Sequence, residues 1–133
     1  MTQIPQLDRE DIRLLVEIGF LAAGRGLLSQ AEAIFTAVLL LRPDKAVGYV
    51  GMAMALLNAG RAADAIICLQ EARLPTGEED DLVRAFQGLA LQLDRRAFES
   101  VGLLRALAYQ PLPAAGATEG MLLARRLLGE PPD

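Results

Sequence analysis

A chain of 133 residues and 14.3 kDa suits one domain, and 53% hydrophobic content with only 5% aromatics and no Trp points to a core of Ala and Leu. Thirteen basic residues against seventeen acidic ones give −4, which leaves no basic footprint for nucleic acid. The absence of His and the single Cys68 remove Ser-His-Asp and Cys-His chemistry, His metal sites, an internal disulfide and a thiolate zinc site, so the chain reads as non-enzymatic and free of cofactors.

Met1–Arg13 is polar and acidic and carries no signal-like apolar run. No apolar stretch reaches the ~20 residues of a spanning helix. These features favour a cytoplasmic protein in a reducing compartment. After a polar lead over 1–7, Asp8 is placed to cap a helix, with Asp11 as its acidic partner and Leu7 as a candidate staple. Helices are expected over 9–24, 28–41, 46–58 and 62–73. Gly24-Arg25-Gly26 reads as a turn and not a phosphate loop, since no Lys-Ser/Thr follows and no strand precedes. Glu17 is expected to pair with Arg13 at i,i+4, Asn58 to end a helix, and Cys68 to act as a small buried hydrophobe.

Leu74–Gly77 is a Pro/Gly break. Glu78-Glu79-Asp80-Asp81 is the one charge run. It reads either as an acidic docking patch or, preferably, as carboxylates meeting the dipole of a helix's first turn. Helices near 80–93 and 96–109 follow, joined by a turn at Asp94-Arg95-Arg96. Gln110–Ala117 is a linker, and Thr118 can cap a last helix running to about Leu128. Pro131–Asp133 reads as a frayed tail.

Shifting the chain by 34 residues aligns it with itself. Leu15 meets Tyr49, Ile18 meets Met52, Gly19 meets Ala53, and Ala22 meets Leu56. Gly26 meets Gly60, Ala31 meets Ala65, Phe35 meets Leu69, and Val38 meets Ala72. Small positions meet small ones at the helix crossings, and glycines coincide at the turns. The period and the order of sizes resemble the tetratricopeptide repeat. The expected fold is therefore all-α: a right-handed solenoid of about three helical hairpins plus a C-terminal capping helix, in a single domain. Its parts are repeat 1 over 12–45, repeat 2 over 46–79, a degenerate repeat 3 over 80–113, and the capping helix over 118–129, with Arg125 and Arg126 on its polar outer face. Ala85, Gly88 and Ala97 do not all fit small positions of one 34-residue frame, so the register of the third unit stays open.

The resemblance implies that the first helix of each unit lines the inner, concave side. Those positions are Arg13, Val16, Phe20 and Ala23 in the first unit, and Val47, Val50, Met54 and Leu57 in the second. All but Arg13 are apolar. Val16, Phe20, Ala23, Val47, Val50, Met54 and Leu57 are thus the candidate partner-binding residues, for an apolar segment of another protein. The competing expectation is that the third unit or the last helix folds back and makes them core. The family's carboxylate clamp would need Lys and Asn where this chain has Val16, Phe20 and Gly51, so that activity is not expected.

The stretch from Leu14 to Gly24, with Ala31-Glu-Ala-Ile-Phe, Leu41-Arg-Pro and Tyr49-Val-Gly-Met-Ala, is similar to the small tetratricopeptide chaperones of bacterial type III secretion. The resemblance implies a cytoplasmic chaperone that holds the helix of a secretion subunit, sometimes together with a second small chaperone, and blocks premature assembly. The alternative is a generic repeat scaffold, or a structural adaptor that associates with itself as a homodimer through the same groove.

Overall fold

The computed structural model describes residues 7–130. Among them the chain is all-helical, with α1 (Arg9–Gly24), α2 (Leu28–Leu41), α3 (Val47–Asn58), α4 (Ala62–Gln70), α5 (Glu78–Leu93), α6 (Ala97–Ala108) and α7 (Glu119–Leu127). The expectations for residues 1–6 and for the Pro131–Asp133 tail lie outside the described residues.

The local signals act where they were read. Asp8 accepts a hydrogen bond from the Asp11 N–H at 2.9 Å, and the Asp8 N–H donates to the Asp11 carboxylate at 3.2 Å, a capping box. Thr118 caps α7 by accepting from the Met121 N–H at 3.2 Å. Arg13 and Glu17 pair at 3.7 Å on the exposed side of α1. The chief boundary difference is α4, which ends at Gln70 and not near 73. Pro75 disfavours helical geometry at Leu74 before it, and the segment from Glu71 to Gly77 is left as the link to α5.

Packing follows a simple order. α1 packs on α2, α3 on both, α4 on α3, α5 on both α3 and α4, α6 on α5, and α7 on both α5 and α6. Three clusters of buried side chains fill the layers: Ala31, Phe35 and Val38 under α1–α3, Ala53, Leu69 and Leu91 at the centre, and Leu104, Leu107 and Met121 under α5–α7.

The recurrence reaches the third hairpin, with one residue added. A Cβ on Gly19 would come within 2.7 Å of Phe35, and one on Gly88 would collide with Leu104. Gly19, Ala53 and Gly88 therefore occupy the same crossing, in steps of 34 and 35 residues. Ala31, Ala65 and Ser100, all buried, answer from the second helices. The turns repeat as well. Gly26, Gly60 and Arg95 have φ of 74°, 76° and 62°, and the next N–H reaches back to Ala22, Leu56 and Leu91. Ser100, the polar member, satisfies its hydroxyl by donating to the Gly88 carbonyl at 2.7 Å. The third unit thus has its register at Gly88 and Ser100, and Ala97 opens α6 instead of filling a crossing. Gly129 (φ 78°) ends α7 with the same turn, the Glu130 N–H donating to the Arg125 carbonyl at 2.9 Å.

Candidate functional site

α1 and α3 lie side by side, and the candidate partner-binding residues they carry divide into two sets. Phe20 is 36% exposed, its ring edge-on to Phe35 with centroids 5.0 Å apart. Val16 and Val47 are half-buried against the first cluster, and Met54 and Leu57 are half-buried against the central one. These five keep solvent-facing surface. Ala23 and Val50 do not: they are 2% and 6% exposed. This corrects their assignment as partner-binding residues, because each apolar side chain is covered by a neighbouring helix. Ala23 packs with Ala55 of α3, and Val50 packs in the cluster that includes Val83, Ala90 and Leu91 of α5. Gly51 is likewise buried, facing the Phe35 ring and not an inner surface.

Asn58, at the end of α3, donates its side-chain N–H to the Ala23 carbonyl at 3.0 Å and so ties the ends of α1 and α3 together. The fold-back of the last helix does not occur, since α7 touches α5 and α6 and has no contact with α1 or α3. The wall continues in part onto the third unit. One 35-residue step from Val47 and Met54 lie Leu82 and Leu89, both half-buried, whereas the same step from Leu57 reaches Gln92, which is exposed. The aromatic anchor and the methionine belong to α1 and α3, and α5 extends the wall with two leucines before it turns polar at Gln92. The frame needed to see this in the sequence was the 35-residue step.

The remaining chemistry-bearing groups serve the fold. Glu79 accepts the Ala46 N–H at 2.7 Å just ahead of α3. Asp81, only 2% exposed, accepts from Gln110 Nε2 at 2.7 Å and from Thr118 Oγ1 at 2.8 Å, fixing both ends of the α6–α7 link to α5. Two members of the acidic run are thereby bound within the molecule. Burial pushes the Asp80 carboxyl up, Arg84 opposes this, and the Asp81 charge adds to it. Neither the docking-patch reading nor the preferred first-turn reading of this run includes these internal bonds, because the partners of Asp81 lie 29 and 37 residues away and carry no local signal.

On the opposite side, a cleft of 390 Å³ runs between α2, α3 and α4, floored by Tyr49, Met52 and Leu56. Cys68 lines it, and its thiol is pushed up to about 11 by burial, with Glu71 adding to the shift. It is therefore protonated at neutral pH and a poor nucleophile. Among the described residues no group of His, Cys, Asp and Glu could hold a metal ion, and no helix is long and apolar enough to cross a membrane. Comparison of the chain with protein-family models, curated proteins and solved structures found no match.

Proposed function

We propose that this chain is a tetratricopeptide-type helical repeat protein that binds an amphipathic helix of another protein against α1 and α3. The observation that carries the reading is the open inner wall of Val16, Phe20, Val47, Met54 and Leu57, which α7 leaves uncovered. Half-exposed aliphatic side chains around one aromatic anchor suit the apolar face of a helix, with anchors spaced i, i+3, i+4 and i+7. Met54 adds a flexible, polarisable surface that tolerates different side chains. Recurrence of the small crossings at 19, 53 and 88, and of the left-handed turns at 26, 60 and 95, supports the repeat assignment.

Within that class the reading is a type III secretion chaperone, bacterial and cytoplasmic, that shields the self-assembling helix of a secretion subunit and prevents premature assembly. The acidic composition and the stretches that resemble that group support it. Co-expression with subunits of a secretion apparatus is the test. A soluble stoichiometric complex is expected, and Phe20→Asp or Met54→Asp is expected to abolish it. A complex that survives both substitutions contradicts the groove.

A further inference from the structure

The helical array has two ends, and each presents apolar side chains that no other described helix covers. At the first end α1 touches only α2 and α3, and Leu14, Ile18 and Leu21, spaced i, i+4 and i+7, form an exposed stripe. At the second end α7 touches only α5 and α6. Phe98 of α6 is 94% exposed there. Beside it is a depression of 520 Å³ lined by Ala97, Val101, Gly102 and Arg105. A cleft of 200 Å³ sharing Val101 and Arg105 continues to Leu127 and Leu128 at the end of α7. Nothing lies within 4 Å of where a Cβ on Gly102 would be, so another helix can approach α6 closely at that point.

The charges of the two ends are opposite. Residues 7–24 hold four acids (Asp8, Glu10, Asp11 and Glu17) against Arg9 and Arg13, a balance of −2. Residues 95–130 hold five arginines against Glu99, Glu119 and Glu130, a balance of +2. Inside the molecule every later first helix already packs on both helices of the hairpin before it: α3 on α1 and α2, α5 on α3 and α4, α7 on α5 and α6. α1 is the one first helix among the described residues that lacks such a predecessor.

We infer that the two ends join between copies of this chain: the Leu14–Ile18–Leu21 stripe of one molecule docks on the Phe98–Val101 end of the next, with Glu10 and Glu17 near Arg105 and Arg126. The contact is heterologous, so it propagates head to tail and permits assemblies longer than two, open chains or closed rings. It uses neither Phe20 nor Met54 and so leaves the inner wall free.

Sedimentation equilibrium of the whole chain from about 10 μM to about 1 mM tests it. The average mass is expected to rise from 14.3 kDa without a plateau at twice that value. It is expected to fall back as salt is raised, because exposed charges are screened. Leu14→Arg with Ile18→Arg blocks one end, and Phe98→Asp with Val101→Asp blocks the other. All four side chains are exposed, and circular dichroism and thermal unfolding verify that the fold is kept. Single Leu14→Arg and Phe98→Asp variants replace the pairs if either pair unfolds. Each blocked variant alone is expected to be monomeric, with association weakened at least about tenfold. Their equal mixture retains one intact pair of ends and is expected to give dimers and nothing larger. Phe20→Asp is expected to leave the association unchanged. A parent that stays monomeric throughout, a mixture that stays monomeric, or a dimer that persists in either blocked variant alone overturns the inference.

Discussion

Replacing Asp81 with Ala removes the acceptor that ties α5 to the α6–α7 link. Two hydrogen bonds to a carboxylate are lost, from Gln110 Nε2 at 2.7 Å and Thr118 Oγ1 at 2.8 Å. Hydrogen bonds to charged groups contribute about 1.5–3 kcal/mol each. Both donors are part-buried and recover some water contact, and the Thr118 hydroxyl still accepts from the Met121 N–H. The expected loss is therefore about 3 kcal/mol, a large share of the roughly 5–15 kcal/mol that holds a domain together. Asp81→Asn keeps an acceptor oxygen without the charge and is expected to lose only about 1 kcal/mol. Urea unfolding gives the totals. Amide exchange locates them, because α7 is docked through this segment and its amides are expected to lose protection before those of α1–α4. An Asp81→Ala variant within about 0.5 kcal/mol of the parent, or one whose lost protection spreads evenly over all helices, refutes the assignment.

Two further predictions follow from single residues. Arg95 holds a left-handed conformation that glycine holds at 26 and 60, so Arg95→Gly is expected to raise unfolding stability by about 0.5–1 kcal/mol, after the entropy glycine adds to the unfolded chain; a decrease in chemical denaturation would contradict the shared turn geometry. Cys68 has its pKa raised to about 11 by burial and Glu71, against 9.0 for the free group. Because the folded state holds its proton longer than the unfolded one, the Cys68 contribution to stability is complete below pH 9 and declines as pH rises towards 11. Alkylation of the folded protein by iodoacetamide is accordingly expected to climb steeply only above pH 9, and a rate midpoint near that of a free thiol would show the group to be exposed.

Helix positions were legible because their signals are local: the Asp8–Asp11 box, the turn glycines and the spacing of small residues each act within a few positions. The third unit was hidden by three changes that leave each role intact. Arg95 stands where glycines stood, Ser100 where alanines stood, and one extra residue shifts the frame. Of the candidate wall, Phe20 and Met54 were readable as apolar positions, whereas the burial of Ala23 and Val50 depends on how closely α3 and α5 approach. Such approaches between helices, like those of Gly19 and Gly51 to Phe35 of α2, are tertiary, and a pattern along one helix does not contain them. The roles of Glu79 and Asp81 were invisible for the same reason, their partners being 29 or more residues away.

The central claim is that the inner wall of α1 and α3 receives another protein's helix. Trp is absent from the chain, so Phe20→Trp installs a single fluorescent reporter in that wall, and Phe98→Trp places the same reporter at the far end as a control. Titration with an amphipathic helical client, at protein concentrations where the parent chain is monomeric, is expected to shift the emission of the Phe20→Trp protein to the blue in a saturable, one-to-one manner and to leave that of the Phe98→Trp protein unchanged. Binding that leaves the Phe20→Trp emission at its free wavelength, or shifts only the Phe98→Trp signal, contradicts the account.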